Sequence, residues 1–293
     1  MSSLPRGKEE RTFSIVSAPH LHSTQSTSKV YWGMFGALLP LWIASLIVFG
    51  WDAFRIFLLA VGAACGSEYL LHFMFRSGKH RLNGNAALIG ALFAFLLPPE
   101  IPSWAVLIGA TGAVLIGREL FGGLGENLFH PSLFAYVFVQ GIVPFQEAGL
   151  SEASFGINHF FLGAGFGLLG DSSMFALLIG VFYVWFRKWL SWEMPVLFLL
   201  VFTLVSHGLS RSIAQELFRS AIFLVAFFFV TDFATTPITR KGRLVFAAAA
   251  GVLAAFFQMW AGTFVSMAGS VLVMNASVPL LDRLANSRLK SIW

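Results

Sequence analysis

The sequence predicts an all-α polytopic membrane protein of about ten transmembrane helices. Three observations lead there. Hydrophobic residues make up 57% of the 293 positions and charged residues only 11%, with a mean hydropathy of +0.78, whereas a soluble domain is about 45–50% apolar and about 25% charged. Uncharged runs of spanning length recur along the chain. Basic residues fall in short clusters between those runs, so the net charge of +5 reads as a topology signal and not as a nucleic-acid surface. The single cysteine, Cys65, excludes an internal disulfide, a CxxC redox pair, a Cys-ligated iron–sulfur cluster and a c-type haem site.

A polar arm, 1–29, precedes the first span and does not read as a cleaved signal peptide. Spans are expected at 30–51, 56–75, 82–99, 101–117, 127–146, 172–186, 194–210, 217–233, 244–260 and 263–281. Each approaches the ~20 residues that cross a ~30 Å hydrocarbon core. Residues 244–281 carry no charge and are too long for one helix, so the segment from Trp260 to Thr263 is the natural turn. The stretch 153–170 is apolar enough to compete as an eleventh span. With ten spans and the N-terminus inside, only Arg55, Arg211 and Arg219 of the 19 basic residues lie outside. An eleventh span would move three later basic clusters outside, against the positive-inside bias.

Residues 147–171 are therefore expected to form an external loop with an interfacial, Gly-rich segment, and 282–293 a cytoplasmic tail, with both termini cytoplasmic. Two five-helix halves follow, 30–146 and 172–281, and an odd number of crossings per half makes their orientations opposite. Trp32 and Trp51, and then Trp185, Trp189 and Trp192, read as interfacial anchors.

Chemistry is expected where spans are interrupted by polar or glycine-rich residues. Gly122, Gly123, Gly125 and Asn127 open the fifth helix, where helix-start amides suit an anionic group; a tight turn for close packing is the alternative. Asp232 with Thr235, Thr236 and Thr239 closes the eighth, as a polar site or as a helix end satisfied by its own side chains. Asn275 to Asp282 closes the tenth. Glu68 and His72 share a helix face, either as a functional intramembrane carboxylate or as a pair that satisfies itself. His130, His159 and His207 show no metal-ligand spacing, so no metal is expected. There is no phosphate loop or strand-preceded glycine motif of a nucleotide fold.

Several of these segments, in order over nearly 270 residues, resemble the membrane protein RnfD/RsxD of the Rnf electron-transport complex and its relative NqrB, from the sodium-pumping NADH:quinone reductase. The similarity runs from Ser17-Ala-Pro-His-Leu-His-Ser-Thr-Gln-Ser-Thr27 through Asn85-Ala-Ala-Leu-Ile-Gly90 and Leu97-Pro-Pro99. It is most distinctive at Leu120-Phe-Gly-Gly-Leu-Gly-Glu-Asn127, followed by His130-Pro-Ser132 where the family usually has Asn-Pro-Ala. It continues in Thr231 to Arg243 and ends with Asn275 to Asp282.

The resemblance implies two inverted halves like those of urea transporters, in a bacterial inner-membrane complex that moves electrons between ferredoxin and NAD, coupled to Na⁺ or H⁺. It implies a redox component of a translocase rather than a free-standing enzyme, with other membrane and peripheral subunits as partners. In the family a flavin transferase attaches FMN through a phosphoester to a threonine of the outer loop. No threonine occurs between Thr111 and Thr203. Gly149, Ser151 and Ala153 match the attachment motif, and Ser154 stands where the threonine would be, with the hydroxyl that a phosphoester needs. FMN on Ser154 is thus the expectation, with Pro98, Pro99 and Phe145 as walls of the flavin pocket. Gly122, Gly123, Gly125, Asn127, Asp232, Thr235, Thr236 and Asn275 are assigned to an ion path or a second, inner flavin. The alternatives are a flavin-free assembly protein of such a complex and a small-solute channel of the urea-transporter type.

Overall fold

The structure, a computed structural model, describes residues 26–75, 83–123, 125–145, 161, 167–209 and 219–287. Among them lie ten apolar helical segments and no strand. In chain order these are α1 (Thr27–Phe49), α2 (Trp51–Phe75), α3 (Asn85–Phe95), α4 (Ser103–Leu115), α5 (Pro131–Ile142), α6 (Met174–Phe186), α7 (Glu193–Gly208), α8 (Ser220–Phe229), α9 (Arg240–Phe257) and α10 (Thr263–Ser287). Each expected span has its helix, and the turn at Trp260 to Thr263 falls between α9 and α10.

Local sequence sets the boundaries. Ser26, Ser173 and Thr239 cap α1, α6 and α9 by accepting from backbone N–H groups three residues on. Pro40 cannot donate to the preceding turn, and the helix hydrogen bonding of α1 breaks at Leu38. Gly50, at φ 57°, reverses the chain into α2. The last helix departs from expectation. The run Asn275 to Asp282 does not close α10, which continues to Ser287 with Pro279 inside it.

Helix lengths divide the bundle into two kinds of element. Among the described residues, α1, α2, α4 with its following turn, and α10 are long and apolar enough to cross a membrane. By contrast α3 has 11 residues, which rise about 16 Å, roughly half of the ~30 Å core. All of its residues are buried, and α8 is buried over most of its surface. Short helices followed by non-helical chain at this depth are tolerated only inside protein.

These two short helices run antiparallel. The C-terminal end of α3 and the N-terminal end of α8 meet at Gly170, where an added Cβ would lie 2.8 Å from Phe95 O and 3.4 Å from Ala221 Cβ. Their other ends approach the region of Tyr31, His130 and Asp232.

Around them packs a core rich in phenylalanine, with Phe93, Phe95, Phe198, Phe202, Phe229 and Phe246 all sealed from the surface. Close backbone approach depends on glycine. At Gly180 an added Cβ would collide with the Ala37 carbonyl oxygen, and at Gly90 it would lie 2.7 Å from Ala60 O. Trp185 and Trp192 are exposed, as interfacial anchors would be, but Trp189 is buried, with its ring against Gly33.

Candidate functional site

Two buried polar clusters lie at opposite ends of the bundle. The end that carries Arg118, Arg187, Lys188, Arg240, Lys241 and Arg243 is termed the basic end below.

At the opposite end, residues 167–173 are drawn into the protein, and Leu168 to Ser173 are all buried. An interfacial position was expected for this part of the loop, but its backbone is bonded to three helices or their ends. Leu169 N–H donates to Leu97 O at 2.9 Å, Ser45 Oγ donates to Leu169 O at 3.0 Å, and Ser220 Oγ donates to Gly170 O. Asp171 closes the arrangement. Its Oδ2 accepts from Arg219 Nη2 at 2.8 Å and Nε at 3.1 Å, and its Oδ1 accepts from Ala221 N–H at 3.0 Å. The Arg219 guanidinium also lies over the Phe264 ring, 4.2 Å from its centroid. Arg219, expected in an outer loop, is 4% exposed. Nearby, Arg55 bonds Pro99 O and Ile101 O, which fixes the turn after α3. Ser154, Ser151, Gly149 and Ala153 lie outside the described residues.

The basic-end cluster brings together residues from both halves. Glu68 on α2 is buried and accepts from Arg118 Nη2 at 2.7 Å. Arg118, from the turn after α4, thus supplies a counter-charge to this carboxylate from outside its own helix. Arg118 lies in electrostatic reach of the Tyr31 hydroxyl, which hydrogen-bonds the Asn85 side chain and also faces Asp232. Asp232 in turn faces His130. The His130 ring packs edge-on against Phe229, at 4.6 Å between centroids, where the last turn of α8 widens into a π-helix over Val225–Phe229.

Asn275, buried in the middle of α10, ties the cluster together. Its Nδ2 donates to Val271 O at 3.2 Å and Thr235 O at 3.1 Å, while its Oδ1 accepts from His130 N–H at 3.1 Å. One side chain thus joins α10, the chain after α8 and the start of α5.

The glycine-rich run forms a tight turn. Gly122, Gly123 and Gly125 have φ of 117°, 101° and 91°, a region costly for any side chain. The Gly122 and Gly123 N–H groups donate to Glu119 O and Arg118 O, and Glu126 N–H to Gly123 O, so they serve the turn itself. The turn carries the chain from Arg118 to Asn127 and His130. Asp232, Thr235 and Thr236 likewise bond among themselves: Thr235 Oγ1 donates to Asp232 Oδ2 at 3.0 Å, and Thr236 Oγ1 to Asp232 O at 2.7 Å.

What remains is a set of buried polar atoms without a hydrogen-bond partner: Asn85 Oδ1, Arg118 Nε and Nη1, Asn127 Oδ1 and His130 Nδ1. Arg118 Nε makes only a 3.4 Å ion contact with Glu119. Each of these four residues is at most 9% exposed. Unmet polar capacity at that depth costs about 1–3 kcal/mol per group unless something binds there. Among the described residues no group of three or more His, Cys, Asp or Glu could hold a metal.

Sequence reasoning singled out Asn127, Asp232, Thr235 and Asn275, which do share this region. It missed Tyr31 and used Arg118 only as a topology count. A signal for Arg118 was available, because it is the only basic residue of its expected inside segment, where the others come in groups.

Known proteins resemble the chain over nearly its whole length. The chain is 30% identical to the D component of an ion-translocating oxidoreductase complex of Methanosarcina acetivorans, over 92% of this chain and 94% of that one. It is 26% identical to the D component of a Na⁺-translocating ferredoxin:NAD⁺ oxidoreductase complex of Acetobacterium woodii, covering 97% and 96% of the two chains. It is also 26% identical to the D component of a proton-translocating ferredoxin:NAD⁺ oxidoreductase complex of Clostridium ljungdahlii, covering 94% and 95%. The sequence profile described as the NQR2, RnfD, RnfE family matches residues 14–290, so the chain is a polytopic membrane protein belonging to that family.

Proposed function

We propose that the chain is the RnfD component of an Rnf-type complex that couples electron transfer between ferredoxin and NAD to the movement of Na⁺ or H⁺. In this reading it lies in a bacterial inner membrane with both termini cytoplasmic, so that the basic end faces the cytoplasm as the positive-inside bias requires. Its partners are the other membrane and peripheral subunits of the complex. The names and near-complete coverage of the relatives support the assignment.

The observation that carries a redox role is the basic-end cluster of buried, unpartnered polar atoms. The set contains donors on Arg118 and acceptors on Asn85 and Asn127, which fits the mixed donor–acceptor edge of a flavin ring. A flavin bound there supplies one- and two-electron chemistry, and the protein supplies position and potential. Arg118, paired with Glu68, would offer positive charge and hydrogen bonds to such a group, and Asn85 and Asn127 would offer acceptors. Asp232, with Thr235, holds a negative charge in the same region, suited to a coupling cation. On the other side, Ser154 is the proposed acceptor of an FMN phosphoester installed by a flavin transferase. The buried segment Leu168 to Ser173 anchors the far end of that loop.

The test is the intact mass of the denatured protein after coexpression with the transferase, beside Ser154→Ala. A gain of one FMN phosphoester that the variant loses supports the reading. An unmodified mass in both, with no flavin released on denaturation, refutes it in favour of a flavin-free assembly protein. Solute flux through the chain in liposomes would instead identify a channel.

A further inference from the structure

A second feature of the basic end lies apart from the polar cluster. The turn before α7 and the first turn of α9 enclose a cavity of about 190 Å³ lined by Ser191, Trp192, Glu193, Met194, Arg240, Arg243 and Leu244. Arg240 and Glu193 form a two-point ion pair across its mouth, Nη2 to Oε1 at 2.6 Å and Nε to Oε2 at 3.0 Å. Arg243, one helical turn deeper and half-buried, adds a second guanidinium to the same wall. Two arginines against one carboxylate leave a net positive charge, and Lys241 beside them is exposed.

Below the polar mouth the surroundings change character. Met194 is buried and Leu244 half-buried in the floor. Trp192 is exposed, and Val196, Leu200 and Leu204 follow it at four-residue intervals along α7, exposed by 45%, 51% and 63%. Residues four apart stack on one helix face, so a continuous apolar track leads from the cavity toward the middle of the membrane.

We infer that this cavity is a headgroup site for an anionic phospholipid. Its phosphodiester would lie against Arg243 and Arg240, its glycerol region against Trp192 and Met194, and one acyl chain along Val196, Leu200 and Leu204. Charge and shape agree: basic pockets between membrane helices attract anionic headgroups, each nearby basic residue contributing about 1 kcal/mol. A free phosphate would use the arginines but not the apolar track. An acidic segment of another protein would not need a track lying along the acyl-chain direction.

The experiment uses the full-length chain, purified and stripped of lipid. It is then offered equal amounts of phosphatidylglycerol and phosphatidylcholine, and bound lipid is counted by native mass spectrometry. Phosphatidylglycerol should be retained in preference. Arg243→Gln should lower its occupancy about fivefold, the equivalent of the ~1 kcal/mol per basic residue above. Arg243→Lys should keep most of it, and Arg283→Gln, outside the cavity lining, should leave it unchanged. Equal retention of the two lipids, or Arg243→Gln without effect, overturns the inference. So does binding of inorganic phosphate that displaces phosphatidylglycerol at equal concentration, which would mark a soluble-phosphate site. A photo-crosslinker at Trp192 in the assembled complex that captures a protein instead of lipid overturns it as well.

Discussion

Replacing Arg118 by methionine isolates the energetics of the basic-end cluster. The Glu68 and Arg118 side chains are only 7% and 3% exposed, so their 2.7 Å contact is scarcely screened by water. Arg118→Met leaves the Glu68 carboxylate buried without its counter-charge, a change that costs about 3–5 kcal/mol. Glu68→Gln keeps an oxygen for Arg118 Nη2 but leaves the guanidinium, two of whose nitrogens already lack hydrogen-bond partners, with only the 3.4 Å contact to Glu119 as counter-charge. Replacing both residues removes the two charges at once. Such replacements of buried pairs are often neutral or favourable by about 1–4 kcal/mol. The double variant should therefore be more stable than Arg118→Met alone, with a coupling energy of about 3 kcal/mol, at the upper end for interacting neighbours. Equilibrium unfolding of the detergent-solubilised chain, read by circular dichroism for all four members of the cycle, measures it. Additive costs, or an Arg118→Met variant within about 0.5 kcal/mol of the parent, would refute the buried-pair account.

Two further outcomes follow from the packing and the hydrogen bonds. Gly180→Ala should destabilise by about 1–3 kcal/mol, because its Cβ would displace the Ala37 carbonyl; Gly112→Ala, with open space around it, should gain up to about 1 kcal/mol by the same unfolding assay. Asn275→Ala should strip partners from the Thr235 carbonyl and the His130 amide, costing about 1–3 kcal/mol for each group left buried and unmet. Faster hydrogen exchange in the segment around His130 would report it, and unchanged exchange there would mean that Asn275 does not hold this junction.

The contrast between what was and was not legible in the sequence has a physical origin. Crossing a bilayer imposes composition over some twenty residues, so the ten segments and the turn at Trp260 could be read directly. Depth within the protein imposes no such pattern. The apolar letters of α3 look like those of any lipid-facing span, yet every residue in it is buried. Only its short length and its flanking Asn83-Gly84 and Pro98-Pro99 distinguish it.

Residues at the site divide in the same way. Asp232 and Asn275 were conspicuous because polar groups within apolar runs are costly. Tyr31 was hidden because a tyrosine near a helix end passes for an interfacial anchor. Arg118 and Arg219 were hidden for a related reason, since the positive-inside bias counts charge by location and is blind to whether a guanidinium faces water or a carboxylate. Solitary charges bordering apolar runs were the available sign. Asp171 answers to it, with no other charged residue between Glu152 and Arg187.

The linkage among Asp171, Arg219 and Ala221 also bears on how the protein is made. Asp171 leaves the ribosome 48 residues before Arg219, and the carbonyls of Leu169 and Gly170 are bonded from opposite halves of the chain. During synthesis, therefore, the segment 167–173 cannot settle between α1 and α3 with its polar groups met until α8 has arrived. Until then Asp171, which lies between α5 and α6, has neither Arg219 nor the Ala221 amide to bond. Completion of this junction thus waits on the eighth helix, however early the helices before it are made.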